Sequence, residues 1–282
     1  MPYDLHTHST ASDGTTSPAE VVRAAAAAGL TGLALTDHDT GAGLAEAAAA
    51  AGEAGIDLVP GVEISTQVLG RSVHLLGYGD ITATAPLAGV LAGTVDSRHS
   101  RLRRIVERLA RVVPGLTVAD VVARVPLGVT PGRPHIADAL VALGAVPDRD
   151  AAFVELLSED GPYYVGYSAP GLLESVRLVT AAGGAAVVAH PGSRSAADLL
   201  DEDLLAELAD AGLAGLEVDH RDHDGPTRER LRATAARLGL LATGSSDFHG
   251  AGKQNRLAES TTPDDVVAEL LARAASGTGA RP

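Results

Sequence analysis

The sequence predicts an α/β protein, organised as a closed parallel barrel with a helical insertion. Short β-rich runs alternate with longer Ala-rich amphipathic runs, which is typical of parallel strands joined by crossover helices. Between residues 86 and 166 the alternation fails, and helical patterns separated by Pro and Gly follow one another. The 282 residues, 45% of them hydrophobic, can form one large core plus an appendage. We therefore expect a barrel domain over 1–85 and 167–275, a helical insertion (cap) domain over 86–166 and a flexible tail over 276–282.

Local signals set the boundaries of the predicted elements. Ser17 and Glu20 have the spacing of a capping box, Pro18 stands at the first helical position, and Gly29 stands where this first helix should end. In the insertion we predict helices over 98–111, 118–125, 134–143 and 151–157, and a last helix follows Thr262-Pro263 and reaches about residue 275. Seven segments have the pattern of strands: 3–6, 32–36, 58–64, 72–78, 185–189, 215–218 and 240–244.

The composition argues against several classes of function. Lys and Arg number 22 against 36 Asp and Glu, and the formal net charge of −14 disfavours binding to duplex nucleic acid. The chain has no Cys, so disulfides, thiolate metal sites and cysteine nucleophiles are excluded. No stretch has the length and apolarity of a membrane span, and the first residues lack the pattern of a signal peptide. We therefore expect a soluble, cytoplasmic protein without a membrane partner.

Residues with metal-ligating side chains stand at or near the end of nearly every predicted strand. In a closed parallel barrel these ends meet on one face, which is where the active sites of such folds lie. His6 and His8 project from the same side of an extended segment because they are two residues apart, and Asp13 follows in a nearby turn. The other residues of this set are Asp37, His38, Asp39, Glu63, His74, His190, Asp219, His220, Asp247 and His249.

The size of this set favours a metal centre. A lone histidine at a strand end is most often a hydrogen-bonded core residue, but uncompensated imidazoles and carboxylates buried together would be very costly. A cluster of divalent metal ions satisfies all of them at once. Because the donors are only nitrogen and oxygen, the sequence is compatible with Mn, Fe or Zn and does not choose among them.

Several short motifs resemble those of the PHP (polymerase and histidinol phosphatase) family, in order along nearly the whole chain. The insertion is similar to the cap of the stand-alone branch of that family, which includes phosphoesterases of nucleotides and of RNA 5′ ends. The motifs are His6-Thr7-His8, Ser12-Asp13-Gly14, Leu35-Thr36-Asp37-His38-Asp39, Pro60-Gly61-Val62-Glu63-Ile64, the His74 strand, Ala189-His190-Pro191 and Gly244-Ser245-Ser246-Asp247-Phe248-His249.

The resemblance implies a distorted (β/α)7, TIM-like barrel that holds two to three divalent metal ions. Every ligand position of the family pattern that we can match is present in this chain. Carried over to this sequence, the family pattern places one ion on His6, His8, Glu63 and Asp247, a second on Asp13, His38 and His249, and a third on His74, His190 and a shared oxygen of Glu63.

Such a metal cluster suits the hydrolysis of phosphate esters. Ions about 3.5–4 Å apart can bind a shared hydroxide together with the phosphoryl oxygens, which lowers the pKa of the water and stabilises the entering and leaving oxygens. Three divalent ions would change the formal charge from −14 to −8 and place the whole gain in one pocket. The sequence has neither a Gly-x-Ser-x-Gly nucleophile elbow nor the glycine spacing of a phosphate-binding loop. We therefore expect water, rather than a side chain, to be the nucleophile.

Other polar residues are candidates for binding substrate or moving a proton. Arg133 and His135 lie at a predicted helix start in the insertion, where a guanidinium and backbone N–H groups can bind phosphate; the alternative is an ordinary loop arginine beside a solvated histidine. His220 and His223 follow the sixth predicted strand, and either could protonate the leaving oxygen or bind a second phosphate. Lys253, the only lysine, follows the last motif and is a candidate substrate-binding residue.

Two further groups have supporting roles in this interpretation. Asp37 and Asp39 are expected to orient the histidine between them and its neighbours rather than to bind metal. Tyr163, Tyr164 and Tyr167 lie where the insertion returns to the barrel. They could stack on a nucleobase, or they could pack in the hinge between the two domains.

The leading functional hypothesis is a metal-dependent phosphoesterase for a nucleoside monophosphate, a 3′,5′-bisphosphate nucleotide or the 5′ end of a short RNA. Histidinol phosphate is the alternative substrate within the same chemistry. A metal-dependent hydrolase of amides is disfavoured because no lysine ends a predicted strand. A non-catalytic metal-binding module is disfavoured because the set of ligands is complete.

Overall fold

The computed structural model describes residues 2–125, 132–158, 160–166, 168–193 and 196–275 of this α/β chain. All seven predicted strands are present, together with one short strand that the sequence did not predict. The strands are β1 (Pro2–Thr7), β2 (Gly32–Leu35), β3 (Asp57–Val68), β4 (Arg71–Tyr78), β5 (Ala185–Val188), β6 (Leu213–Asp219), β7 (Leu241–Gly244) and the unpredicted β8 (Thr262–Pro263). The helices are α1 (Pro18–Ala27), α2 (Leu44–Ala54), α3 (Ala85–Leu109), α4 (Val118–Val122), α5 (Arg133–Ala142), α6 (Arg149–Glu155), α7 (Leu172–Ala181), α8 (Glu202–Asp210), α9 (Gly225–Arg237) and α10 (Asp264–Ala275).

The strands form one sheet in the order β7-β6-β5-β4-β3-β2-β1-β8. The prediction of a wholly parallel barrel is wrong for β4, which is antiparallel to both β3 and β5. The reason is the turn at Leu69-Gly70, because two residues can join antiparallel strands but cannot form a crossover. Both turn residues have positive φ, 51° and 77°, as tight hairpins require. The distorted α/β barrel that the sequence predicts is otherwise confirmed.

Strand β8 brings the two ends of the sheet together. It pairs antiparallel with β1. The Thr262 hydroxyl donates to the Gly244 carbonyl at 2.8 Å and accepts from the Gly244 amide at 3.0 Å, which links β8 to β7. An isolated bridge between Thr7 and Phe248 adds a second link. The carboxyl ends of β1, β2, β5, β6 and β7 therefore lie around one nearly closed ring.

Helix α1 shows how local signals fix the outer layer. The Ser17 side chain accepts from the Glu20 amide, and the Glu20 carboxylate accepts from the Ser17 amide, so the predicted capping box is present. Such a cap stabilises a helix by about 1 kcal/mol. Gly29 has a φ of 82° two residues beyond the helix end, which glycine adopts without strain. The face with Val21 and Val22 is fully buried and packs in a core cluster with residues of α2 and β2.

The chain divides into two compact units. One comprises residues Met1–Leu91 and Pro170–Pro282, and the other comprises Ala92–Ala169. The second unit contains most of α3 together with α4, α5 and α6, and it has its own core, in which Ile105, Leu109 and Ile136 are buried. The predicted insertion, 86–166, covers most of this unit. In the part of the chain that the structure describes, no helix has both the length and the apolarity needed to cross a membrane.

Candidate metal centre and active site

Strand β1 ends in two buried imidazoles that face each other. His6 and His8 are both fully buried, and their Nε2 atoms lie 3.0 Å apart. The period of two in an extended chain places them on the same side, as the sequence predicts. At this distance the two nitrogens can share one proton in a hydrogen bond or can both bind one metal ion.

Glu63, on β3, lies at the centre of the site. Its carboxylate is 1% exposed, and its oxygens lie within 3.2 Å of a ring nitrogen of five different histidines. Burial alone would raise the pKa of Glu63, but the imidazoles around it hold that pKa well below its usual range. The five contacts are to His6 Nε2 at 3.2 Å, His8 Nε2 at 3.1 Å, His38 Nδ1 at 3.1 Å, His74 Nδ1 at 2.8 Å and His190 Nε2 at 3.2 Å.

The potential ligand atoms form three groups, within each of which they lie no more than 4.8 Å apart. The nine residues that the family resemblance implies as ligands all lie in these groups or beside them. The first cluster is His6, His8, Glu63 and Asp247; the second cluster is His8, Asp13, His38 and His249; the third cluster is His38, Glu63 and His74, with His190 beside it through Glu63.

These groups fit divalent metal ions better than they fit hydrogen bonding. His38 Nδ1, His74 Nδ1 and His249 Nε2 lie 2.8–3.2 Å from carboxylate oxygens, yet none has a hydrogen bond of acceptable geometry. His190 Nδ1 is buried without a partner as well. Leaving a buried polar atom unsatisfied costs about 1–3 kcal/mol. Nitrogen and oxygen donors that converge in this way suit Mn, Fe or Zn.

Neighbouring oxygens fix the orientation of two of the histidines. His6 Nδ1 lies 3.0 Å from Glu217 Oε1, and His249 Nδ1 lies 2.9 Å from the Asp247 carbonyl oxygen. Since these oxygens can only accept, each Nδ1 must carry the proton. In both rings Nε2 is then directed into the clusters, as is typical of metal-binding histidines.

Asp37 and Asp39 bind serines that flank the site. Asp37 accepts from the Ser9 amide at 2.8 Å and from the hydroxyls of Ser9 and Ser12 at 2.6 Å each, which fixes the turn that carries Asp13. Asp39 accepts from the amide and hydroxyl of Ser65, two residues beyond Glu63. Both carboxylates therefore position the segments that bear Asp13 and Glu63, two of the predicted metal ligands.

Backbone strain is concentrated at the same place. Asp39, His190 and Asp247 have φ values of 55°, 29° and 53°, in a region that residues other than glycine rarely adopt. Strained residues of this kind cluster at active sites, where the surrounding structure holds them.

Two cationic or donor side chains lie at Asp247. Lys253 Nζ donates to Asp247 Oδ2 at 2.6 Å. His220 Nδ1 accepts from the Asp222 amide at 3.2 Å, so its Nε2 carries the proton, and this buried N–H lies 3.8 Å from Asp247 Oδ2. Burial would raise the pKa of Asp247, but Lys253 and His249 hold it well below the usual value. The Nε2–H of His220 is therefore available to donate a hydrogen bond in the site.

The contacts of His223 do not favour the roles predicted for it. Its Nδ1 lies 2.8 Å from the Val218 carbonyl oxygen, and its Nε2 accepts from the Gly192 amide at 2.9 Å. Both ring nitrogens are therefore used by the backbone, and the ring is buried. This geometry favours a structural role, in which His223 ties the loop after β5 to β6, over the predicted roles in proton transfer and substrate binding.

An open pocket of about 180 Å³ gives access to the clusters. Its walls carry charged and polar groups, which suits a phosphorylated ligand rather than an apolar one. The lining residues are His38, Glu63, His74, His190, Ser193, Asp222, Asp247 and Lys253.

The predicted substrate-binding residues of the insertion lie in the helical unit. The Arg133 guanidinium donates to the Leu157 carbonyl at 3.1 Å and lies 5.9 Å from the centroid of the Tyr164 ring. His135 is buried, and its Nδ1 accepts from the Gly132 amide at 3.1 Å, at the start of α5. Their contact with substrate stays a prediction.

The tyrosines are only partly described. Tyr163 packs against the core of the helical unit, and the Arg101 guanidinium lies 5.1 Å from the centroid of the Tyr164 ring. Tyr167 lies outside the described residues. Packing within the unit explains the first two without a nucleobase.

Comparison with known proteins places this site in a family. The model of the PHP domain matches residues 4–113. The chain is 37% identical over 253 residues to the 3′,5′-nucleoside bisphosphate phosphatase of Chromobacterium violaceum, an alignment that covers 90% of this chain and 89% of the relative. The chain belongs to the PHP family. The prediction from the sequence motifs is confirmed.

Other PHP proteins extend the comparison. The 5′-3′ exoribonuclease of Haemophilus influenzae is 34% identical over 247 residues, which cover 88% of this chain and 89% of the relative. A solved structure from Bifidobacterium adolescentis, described as a metal-dependent phosphoesterase, has a TM-score of 0.91 and 42% identity and covers 96% of each chain. This PHP chain is accordingly a metal-dependent phosphoesterase, as the sequence predicts.

Sequence reasoning missed two buried carboxylates that support this PHP site. Glu217 is fully buried within β6; burial would raise its pKa, but the imidazoles around it and the hydrogen bond with His6 lower it to about 2. Asp4 accepts from the amides of Ser246 and Ala258, and burial raises its pKa to about 6. A signal was present in both cases, because each is an acidic residue inside a strand with an apolar or aromatic residue on either side of it in the sequence.

Proposed function

We propose that this chain hydrolyses a phosphate monoester of a small nucleotide-like substrate: a nucleoside monophosphate, a 3′,5′-bisphosphate nucleotide or the 5′ end of a short RNA. The observation that carries the proposal is the Glu63 carboxylate, shared by five imidazoles and flanked by two further carboxylates in an open polar pocket.

The residues of the three clusters are the proposed ligands of two to three divalent ions, Mn, Fe or Zn. When bound, such ions supply positive charge for the phosphoryl oxygens and lower the pKa of a water molecule towards neutrality. The protein contributes a rigid ligand set. Asp37 holds the turn that bears Asp13, and Asp39 holds the segment of β3 that bears Glu63.

His220 is the proposed hydrogen-bond donor to the leaving oxygen. Attack by the water oxygen forms a new bond to phosphorus and breaks the ester P–O bond, and the leaving oxygen takes up one of the protons of the attacking water. The neutral His220 ring keeps its Nε2 proton and stabilises the leaving oxygen by a hydrogen bond. Two contacts hold this ring in position: the Asp222 amide donates to Nδ1, and the Arg228 guanidinium donates to the His220 carbonyl at 2.8 Å. Arg221 next to it forms a bidentate pair with Glu259, at 2.8 and 2.9 Å.

Lys253 is the proposed phosphate-binding cation at the mouth of the pocket. Its ammonium group lies against Asp247 Oδ2, and its side chain is 44% exposed, so it is accessible to a ligand that enters. Arg133 and His135 are proposed to bind the rest of the substrate. The assignment to nucleotides is supported by the PHP relatives, whose names specify 3′,5′-nucleoside bisphosphates and RNA.

A panel of phosphate esters tests the proposal. Purified protein is assayed with a nucleoside monophosphate, a 3′,5′-bisphosphate, a 5′-phosphorylated RNA and histidinol phosphate, with Mn, Fe or Zn added and with chelator. The same panel is repeated for Asp13→Asn and for the control Asp219→Asn, whose carboxylate pairs with Arg232 outside the clusters.

We expect the highest kcat/KM for a nucleotide substrate, loss of activity with chelator, and loss of at least about 100-fold in Asp13→Asn but not in Asp219→Asn. A higher kcat/KM for histidinol phosphate than for every nucleotide would make histidinol phosphate the substrate instead. No turnover of any ester at any metal loading would contradict the proposal and favour a non-catalytic module.

A further inference from the structure

Glu217 connects two of the clusters without belonging to either. It is fully buried within β6. Its Oε1 lies 3.0 Å from His6 Nδ1, in the first cluster, and its Oε2 accepts from the backbone N–H of His190 at 2.7 Å, beside the third cluster. One oxygen of this carboxylate thus contacts a residue of the first cluster, and the other contacts a residue beside the third cluster.

The contact with His6 determines which ring nitrogen can bind metal. A carboxylate only accepts hydrogen bonds, so His6 Nδ1 must donate to Glu217. In the neutral ring the lone pair is then on Nε2, which lies 3.2 Å from Glu63 Oε2 and 3.4 Å from Asp247 Oδ1. The tautomer needed for metal binding is therefore set from outside the cluster.

The contact with His190 acts on the backbone instead. His190 has a φ of 29°, in a region that favours glycine. The hydrogen bond from its amide to Glu217 holds this conformation, and the conformation places His190 Nε2 3.2 Å from Glu63 Oε1. The same loop has a second tie, from the Gly192 amide to His223, which does not reach the clusters.

We propose that Glu217 is a positioning residue that couples metal binding at the first and third clusters, by fixing the tautomer of His6 and the backbone of His190 together. This inference rests on the proposed metal centre. The second cluster has no contact with Glu217 in the described structure, so its metal affinity should be independent of this residue.

Glu217→Gln separates this role from simple packing, since the two side chains have the same shape. An amide has one oxygen that accepts and one NH₂ group that donates, whereas both neighbours of Glu217 need an acceptor. If the oxygen faces the His190 amide, the NH₂ group faces His6 Nδ1 and shifts the His6 proton to Nε2, where it blocks metal binding. If the amide is reversed, two donors face each other at the His190 amide. Either arrangement damages one of the two clusters.

The experiment measures cobalt(II) binding to the full chain by competition with a chelator and by absorption spectroscopy of the bound ion. It compares wild-type protein with Glu217→Gln and with two controls from the same strand. Val218→Ala removes buried volume but keeps the backbone carbonyl that His223 contacts, and Asp219→Asn removes a charge that pairs only with Arg232 in the described contacts. Melting temperatures are recorded for all four.

We expect Glu217→Gln to lose about 10- to 100-fold in cobalt affinity at one or two positions while one ion, that of the second cluster, keeps the wild-type affinity. The controls should bind like wild type, even where Val218→Ala lowers the melting temperature as much as Glu217→Gln does. Wild-type affinity at every position of Glu217→Gln would overturn the inference. So would equal losses in Glu217→Gln and Val218→Ala.

A measurement on wild-type protein keeps the inference testable should Glu217→Gln not fold. In ¹⁵N-labelled protein loaded with zinc, the His6 ring should show a protonated Nδ1, and a protonated Nε2 would overturn the inference. Wild-type protein that binds neither cobalt nor zinc would overturn the proposed function and this inference with it. Wild-type binding combined with an unaffected Glu217→Gln would overturn the inference alone.

Discussion

Replacing Asp37 by Ala and by Asn should give two clearly different losses of stability. Asp37 is 2% exposed and accepts three hydrogen bonds, from the amide and hydroxyl of Ser9 and from the hydroxyl of Ser12. In Asp37→Ala the Ser9 amide is left buried without an acceptor, which costs about 1–3 kcal/mol, and two hydroxyls lose their partner as well. We therefore expect a loss of about 3 kcal/mol.

Asp37→Asn should cost only about 1 kcal/mol. The amide oxygen can take the place of Oδ1, which accepts from the Ser9 amide and the Ser12 hydroxyl. The NH₂ group then faces the Ser9 hydroxyl, and that hydroxyl can rotate to accept. For a chain of this size about 2–4 °C of melting temperature corresponds to 1 kcal/mol, so we expect decreases of about 6–12 °C for Ala and about 2–4 °C for Asn.

The assay is thermal unfolding of the metal-free protein followed by circular dichroism, with Asp219→Ala as a control for loss of a surface carboxylate. Activity should fall more in the Ala variant than in the Asn variant. Ser12 precedes Asp13, so displacement of this turn would lower the metal affinity of the second cluster by about 10- to 100-fold. Equal melting temperatures for the Ala and Asn variants would refute the reasoning from hydrogen-bond acceptors.

Three further predictions follow from the same structure. Chelation should abolish activity and lower the melting temperature, and added Mn should restore both. The melting temperature responds because an ion at 100 times its dissociation constant stabilises the folded state by about 2.7 kcal/mol. A metal-free protein with full activity would contradict this prediction. His220→Ala should lower kcat strongly for a nucleotide but little for p-nitrophenyl phosphate, whose leaving group is a weak base and needs little stabilisation. Equal losses for both esters would argue against a hydrogen bond from His220 to the leaving oxygen. The hydrogen bond from the Tyr3 hydroxyl to Asp57, at 2.5 Å, raises the pKa of Tyr3 to about 12, so the contribution of this hydrogen bond to stability is complete below pH 10 and is lost as the pH rises through 12. Ultraviolet titration of Asp57→Asn should show one tyrosine whose pKa moves towards the ordinary value. An unchanged titration would contradict the assignment.

Most of the fold could be predicted because its signals are local. The capping box at Ser17 and the period of two at His6 and His8 depend on neighbouring residues alone, and both are present in the structure. The direction of β4 was not predictable from its apolar pattern, because parallel and antiparallel strands bury the same side chains; only the short turn at Leu69-Gly70 carries that information.

Prediction of the site from the sequence was limited for a similar reason. Residue type and strand position predict a metal-binding histidine, but the role of each ring depends on what the second nitrogen contacts. His220 and His223 look alike in sequence, yet the first receives a hydrogen bond that leaves Nε2–H towards Asp247, while the second has both nitrogens bound to backbone. Glu217 was missed because its two partners come from β1 and from the loop after β5, far away in the chain.

The most direct measurement is anomalous diffraction from crystals of the wild-type chain grown with manganese, recorded at the manganese absorption edge. We expect two to three peaks within coordination distance of Glu63, Asp13 and Asp247. Anomalous density elsewhere on the protein, or none at this carboxylate-rich end of the strands, would contradict a metal-dependent active site.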